Sequence, residues 1–303
     1  MVRCMSIFSN LVRQPDGAFS ARFGPYLLQS ALQPIFAERA DGSLQIAALK
    51  GLVRASINDV LCSPAEFFQY VPEEERAAVD GLCRSLHILN AGALGRRDVA
   101  LIVNFNGGLY LTPEAIRHEV ERLRLAAHQA SLPPICIACE IREHPEDEPD
   151  VLAHFATRLH EGGFSIAIDD YTGEDHDLER LQRLQPQFVT FDTAWLQEFS
   201  ENSAGLALLR VLISQFSHKN IRAIVTGIED PEMIVRCRDM GGPLMQGYLL
   251  ARPELAPTSF NFSFPELDDA SPDLPGDVAL PSYSAAPEPR ALRPVRQFGR
   301  RGV

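Results

Sequence analysis

The chain has no apolar run long enough to span a bilayer, so no membrane-spanning helix is expected. Its opening residues, Met1 to Ser20, carry Arg3, Arg13 and Asp16 and lack a continuous apolar centre, so they do not read as a signal peptide. These two absences make the cytoplasm the expected location. Positive charge is in deficit: 28 Lys and Arg stand against 40 Asp and Glu, a formal net charge of −12. Such a chain repels a phosphate backbone, which excludes bulk electrostatic binding of a nucleic-acid polymer but leaves room for a local pocket for a compact anion. Cysteine is sparse as well. Of the six, only Cys136 and Cys139 form a CxxC, with no second one to complete a thiolate zinc site. They lie in ICIACEI, which reads as a buried strand, where residues three apart point to opposite faces. Core packing is the expected role of both.

What is present is an ordinary globular composition, 46% hydrophobic and 22% charged over 303 residues, enough for one large domain. From Leu101 onward, short apolar runs alternate with helical patterns. LIVNF, ICIACEI, FSIAIDD, FVTFD and IRAIVTG read as strands. Between them lie helices such as the one opened by Thr112 and Pro113. Strands apolar on both faces belong to a parallel sheet covered by helices. Earlier, ALQPIF and SLQIAALKGLVR read as two strands joined at Asp41-Gly42, a connection so tight that they must be antiparallel. The expected fold is a TIM-like (β/α)8 barrel with an antiparallel first strand, spanning 27–256 after an N-terminal extension at 1–26. From Pro257 proline recurs, acidic residues give way to a basic end, and nothing there builds a core. Residues 257–303 are expected to form a disordered tail, either a solvated appendage or an electrostatic docking segment.

In such barrels the strand C-termini carry the site. Here they carry Asn104, Glu140, Glu143, Asp169, Asp170, Asp192, Thr226 and Gln246. Converging carboxylates and amides suit divalent cations, which take oxygen ligands. Each residue also has a bland reading: for Asp192 and Asn104, capping of the next helix is as good an account as function. The adjacent pair Asp169-Asp170 is harder to explain as a cap, because two carboxylates side by side repel unless a cation or donors offset them.

These same residues carry a family resemblance. LQPIF resembles the opening QPI strand of the EAL-type cyclic di-GMP phosphodiesterases, and KGLVR resembles their EALxR signature. VNF, CEIRE, AIDDY, VTFD, VTGIED and QGYLLARP follow in the family's order, so the likeness covers Leu28 to Pro253. The resemblance implies two-metal hydrolysis of cyclic di-GMP, with Mg²⁺ or Mn²⁺ activating a water. It implies that Asn104, Glu140, Asp169, Asp170 and Gln246 stand at ligand or ligand-supporting positions, and that Gln33 and Arg54 stand where the family contacts the dinucleotide.

The departures set the functional expectation. The signature glutamate is replaced by Lys50 in the preferred register, or by Ala47 or Ala48 in a shifted one. Thr190 stands where the family has its catalytic lysine, and Thr226 where it has a further glutamate. The rim loop reads YTGEDHD instead of FGTGYSS. Three groups lost together exceed the ~2–4 kcal/mol of one electrostatic group. The expectation is a catalytically inactive regulatory domain, with no catalytic residue, metal or cofactor, acting through a protein partner or as a cyclic di-GMP receptor. The alternative is an active phosphodiesterase using Mg²⁺ or Mn²⁺ in a site rebuilt from Glu143, Glu174 or Asp175. A third reading makes the barrel a scaffold for the tail. His144 and His176 sit in acidic loops and read as solvated. If Lys50 occupies the signature position, its ammonium lies beside Glu140 and Asp169 and neutralises them in place of an ion; otherwise it is a solvent-facing lysine on an edge strand.

Overall fold

A computed structural model describes residues 10–96, 98–143 and 148–266. His144 and the chain beyond Glu266 therefore lie outside the described residues. The chain opens with β1 (Leu11–Arg13) and β2 (Phe19–Phe23), then the long strands β3 (Tyr26–Glu38) and β4 (Leu44–Ile57), and β5 (Val60–Cys62). Next come α1 (Pro64–Tyr70) and α2 (Glu73–Ala93), β6 (Ala100–Asn106), α3 (Pro113–Gln129), β7 (Ile137–Arg142) and α4 (Pro149–Glu161). The second half comprises β8 (Ser165–Tyr171), α5 (Asp175–Leu184), β9 (Phe188–Phe191), α6 (Thr193–Ser200), α7 (Ser203–His218), β10 (Arg222–Val225), α8 (Pro231–Asp239) and β11 (Leu244–Met245). The pair β12 (Glu254–Leu255) and α9 (Phe260–Ser263) ends the described chain.

The strand order β3-β11-β10-β9-β8-β7-β6-β4 closes on itself through β3–β4 pairing, giving the expected barrel of eight strands among the described residues. The six pairings from β4–β6 round to β10–β11 are parallel. β3 runs antiparallel to both of its barrel neighbours, β4 and β11. The β3–β4 connection tightens as the sequence predicts: Gly42 takes φ +81, a conformation free of penalty only for glycine, and Ser43 N donates to Asp41 Oδ1 at 2.9 Å.

Side-chain alternation sorts the core into shells. Ile35, Ala48, Ile102, Ala138, Ala167, Phe188, Ile224 and Leu244, one from each barrel strand, form a ring inside the barrel. Their neighbours, among them Leu49, Val103, Cys139, Ile141, Ile166, Val189 and Val225, face outward and pack under the helices. Cys139 is thus a core residue, and Cys136 lies before β7 in a 3-10 turn.

Two boundaries differ from the sequence expectation. Residues 11–23, read as part of an extension, form a hairpin that continues the sheet from β3. The segment 257–266, read as the start of the tail, is packed. Phe260 is fully buried, and Arg96 donates to the carbonyls of Phe260 (3.0 Å) and Phe264 and to Asn261 Oδ1 (2.7 Å). Proline frequency marked the change of character too early, because FNFSF alternates a buried and a half-buried aromatic anchor, Phe260 and Phe264, with an exposed Phe262.

Candidate functional site

Two residues beyond the apolar ring, the strand pleat puts a second ring on the same inward side. Counting from each ring member gives Gln33, Lys50, Asn104, Glu140, Asp169, Thr190, Thr226 and Gln246. The period of two therefore converts eight apolar side chains into a polar mouth in a single step. Of the residues singled out from the sequence, Asp170, Arg54, Glu143, Asp192, Glu174 and Asp175 fall outside this layer. Asp170 sits at a register shift in β8 with φ +55, and its N–H donates to Asp169 Oδ1 at 3.1 Å. Arg54 lies four residues past Lys50 on the same face, where β4 has risen above the barrel.

Lys50 takes the centre. Its Nζ donates to Glu140 Oε1 at 2.9 Å and lies 3.6 Å from Asp169 Oδ2. Lys50 faces the mouth and pairs with Gln33 across β3 and β4. Burial opposes its charge, but Glu140 and Asp169 outweigh it and hold the ammonium pKa above its ordinary value. Burial pushes the Glu140 carboxyl up, with Lys50 opposing. The second Glu140 oxygen, Oε2, is buried with no hydrogen-bond partner among the described residues. Burial likewise raises Asp170, Asp169 adding to the shift and Arg142 opposing it. Arg142 was missed from the sequence; its signal is the same alternation, since it follows Glu140 by two on β7.

The remaining ring is neutral. Gln246 Nε2 donates to Gln33 Oε1 at 3.0 Å, and Gln33 Nε2 reaches Ala251 O at 3.4 Å. Thr226 Oγ1 is 3.0 Å from Thr193 Oγ1, and Thr190 is buried. Asn104 points its side chain to solvent, while its carbonyl accepts from Arg84 Nη1 at 3.3 Å. Asp192 is the N-cap of α6, its Oδ1 accepting from Trp195 N at 2.7 Å.

The rim loop is held by Asp177, whose side chain is fully buried. Its Oδ2 accepts from Thr172 N (2.8 Å), Thr172 Oγ1 (3.0 Å) and Gly173 N (3.1 Å), and its Oδ1 from Arg180 Nη1 (2.9 Å). Glu143 is engaged by Arg183 at 2.5 Å and Arg180 at 3.5 Å. Glu174 and Asp175 open α5, away from the Lys50 cluster, with His176 beside Glu174 at 3.5 Å. No group of three or more His, Cys, Asp or Glu suited to holding a metal ion occurs among the described residues. A divalent ion between Glu140 and Asp169 would meet the Lys50 ammonium, so the side chains present do not fit the pair of ions that the resemblance implies.

The fold and its polar mouth define a (β/α) barrel with one reversed strand and an oxygen-rich rim. The EAL domain family matches residues 27–253, and the chain belongs to that family. It is 26% identical over 240 residues to the cyclic di-GMP phosphodiesterase NbdA of Pseudomonas aeruginosa, covering 75% of this chain and 29% of that protein. It is 26% identical over 194 residues to the cyclic di-GMP phosphodiesterase RocR of the same organism, covering 63% of this chain and 49% of that protein. The chain thus spans less than half the length of these relatives. Among solved structures, the manganese/cyclic di-GMP complex of Klebsiella pneumoniae BlrP1 matches with a TM-score of 0.65 at 24% identity, over 81% of this chain and 58% of that one. An EAL domain protein of Listeria monocytogenes matches with a TM-score of 0.64 at 17% identity, over 78% and 92%. No helix among the described residues is long and apolar enough to cross a membrane.

Proposed function

We propose that this chain is a catalytically inactive EAL-type domain that regulates by binding. The observation that carries the reading is the Lys50 ammonium between Glu140 and Asp169, 2.9 Å from one and 3.6 Å from the other. A fixed monovalent cation neutralises the carboxylates there but cannot lower the pKa of a water as a divalent ion does. Thr190 and Thr226 supply neither positive charge nor a carboxylate, so the remaining ring offers no substitute general base. The rebuilt metal site loses support from the engagement of Glu143 by Arg180 and Arg183.

Two binding roles follow. Gln33, Arg54, Asn104 and Gln246 keep the donors and acceptors for cyclic di-GMP, which the named relatives hydrolyse. The altered rim loop, fastened by Asp177, favours a protein partner at the same mouth. The test is calorimetric titration of the purified protein with cyclic di-GMP, with and without Mn²⁺, followed by chromatography of the mixture. Binding that is independent of metal, with intact nucleotide, is the expected result for a receptor. Absence of binding directs the search to protein partners. Linear dinucleotide in the mixture would sink the reading of inactivity.

A further inference from the structure

Above the mouth, the β1–β2 hairpin adds a wall that barrel closure does not require. β3 and β4 run past the polar ring, β2 pairs onto β3 from Ser20↔Gln29 to Phe23↔Tyr26, and β1 pairs onto β2. One face of this sheet is covered: Ala21, Leu28, Val53 and Ala55 pack with Phe67 of α1 and Leu82 of α2. The other face continues the side that carries Gln33 and Lys50, because paired residues share a face and every second residue returns to it. Along that face Gln33↔Lys50 is followed by Ala31↔Leu52, Gln29↔Arg54 and Leu27↔Ser56, with Ser20 beside Gln29 and Arg22 beside Leu27.

On this open face Val12, Gln14, Ser20, Arg22, Leu27 and Gln29 line a recess of about 550 Å³. That lies within the roughly 300–1,000 Å³ typical of small-ligand sites. Its polar groups are poised for a guest. Gln14 Nε2 donates to Ser20 Oγ at 2.6 Å, which leaves the Gln14 carbonyl oxygen as an acceptor. The Gln29 carboxamide and the Arg22 guanidinium have no side-chain partner among the described residues. Asp16, the one carboxylate at the recess, spends an oxygen on Ala18 N at 3.0 Å. In a chain of net charge −12, a face carrying Arg22 and Arg54, neither in an ion pair among the described residues although Arg54 donates to Val53 O at 3.1 Å, is complementary to an anion. A carboxamide presents donor and acceptor side by side, as a purine edge does. A guanidinium pairs with phosphate.

We propose that this recess binds a purine nucleotide, with the base against Val12 and Leu27, its edge on Gln14 and Gln29, and its phosphate at Arg22. The site adjoins the mouth but does not need the mouth to be occupied. Residues 1–9, which immediately precede the hairpin, are the competing occupant; Met1, Val2, Met5, Ile7 and Phe8 match its carboxamides and guanidinium poorly.

The test is calorimetric titration of the full chain with GMP and, separately, with cyclic di-GMP. Wild type, Arg22→Glu, Arg54→Ala and a variant starting at Asn10 are compared. GMP is expected to bind the wild type. Arg22→Glu should weaken it about tenfold or more, the scale of one charge-assisted hydrogen bond, with an unchanged thermal melt. Arg54→Ala, which removes charge from the same face but no lining group of the recess, should weaken GMP less than Arg22→Glu does. GMP binding that survives Arg22→Glu overturns the proposal, and so does no GMP binding by the wild type. Binding that appears only after residues 1–9 are removed also overturns it, by assigning the recess to that segment. GMP binding without cyclic di-GMP binding supports the recess and removes the dinucleotide role from the mouth alone.

Discussion

Two clusters that each place a cation between two carboxylates, one behind the barrel wall and one at the mouth, differ in how completely they close. Behind the barrel wall Arg84, on α2, is 1% exposed. It pairs with Asp80 and with Glu119 at 2.7 Å, donates to the Tyr110 hydroxyl, and lies 3.7 Å over the Phe105 ring. Those anions outweigh burial and hold its pKa well above the ordinary arginine value. At the mouth Lys50 has two carboxylates and no aromatic lid, its side chain is 15% exposed, and Glu140 Oε2 is left without a partner. The first cluster uses a planar five-donor fork to join α2, α3 and β6, the work of a structural node. The second balances charge at a half-open rim, where Asp169 is 18% exposed; each cluster leaves one buried glutamate oxygen without a hydrogen bond, but Glu119 Oε2 has Arg122 at 3.1 Å. Lys50 and Lys219 are the only lysines among 28 basic residues.

Replacing each cation by methionine gives the sharpest test of that difference. Arg84→Met takes from Glu119, 1% exposed, its hydrogen-bonded partner and leaves it Arg122 at 3.1 Å, removes the cation beside Asp80, and should cost about 3–5 kcal/mol in urea unfolding, the usual penalty for breaking a buried pair. Lys50→Met should cost about 1–3 kcal/mol, because solvent reaches Asp169 and part of the loss is one hydrogen bond. Equal losses would erase the distinction between node and mouth. Lys50→Glu goes further. With a carboxylate restored beside Glu140 and Asp169, Mn²⁺ should raise the melting temperature of this variant but not of the wild type, as binding to the folded state alone requires. A variant indifferent to Mn²⁺ would show that the ring has lost its cation geometry beyond Lys50.

His87 links the two regions and gives a pH test. It lies behind the mouth, where Gly51 has room for no side chain: a Cβ there would stand 2.7 Å from the imidazole. Burial, with Arg84 and Arg54 adding, drives the His87 pKa down to about 3. Its Nδ1 is 2.7 Å from Ser30 Oγ. Unfolded, it would take a proton near pH 6.5; folded, it refuses one until about pH 3. The unfolded state therefore binds more protons through that window, and stability should fall as pH is lowered, by about 1.4 kcal/mol per unit at most. Glu140 and Asp170, whose pKa values are raised, work the other way as they protonate. The contribution of His87 is thus the difference between wild type and His87→Gln from pH 6.5 to 4.5. Parallel stability curves for the two proteins would refute it.

Much of this was legible in the chain. The barrel follows from strand-helix rhythm and the Asp41-Gly42 turn, and the mouth from polar residues two past an apolar one on each strand. The Lys50 contact with Glu140 and Asp169 was one of two readings, conditional on Lys50 standing at the signature position the family resemblance implies; the other was a solvent-facing lysine on an edge strand. What the sequence hid has physical reasons. The β1–β2 hairpin and β5 are strands of three to five residues, too short for a periodic signal, although Pro15-Asp16-Gly17 and Asn58-Asp59 mark their turns. The burial of Arg84 has no local signal, because its partners Glu119 and Tyr110 lie far along the chain. The engagement of Glu143 depends on Arg180 and Arg183 arriving from α5, which no local pattern encodes.

Asp192 is the smallest case and the cleanest, because it could be read equally as a rim ligand or a cap. Its Oδ1 accepts from Trp195 N at 2.7 Å, which satisfies one of the open N–H groups at the start of α6. An acceptor so committed has a defined worth. Asp192→Ala should lower stability by about 1 kcal/mol, the usual cost of losing an N-cap. Asp192→Ser or Asp192→Asn, which retain an acceptor at the same reach, should recover most of it. A capping role predicts that affinity for cyclic di-GMP, where the wild type binds it, is the same in all four proteins. If instead Asp192→Ala weakens the nucleotide tenfold while Asp192→Asn melts like wild type, the carboxylate belongs to the mouth, and the polar lining reaches two residues past Thr190, beyond the end of β9.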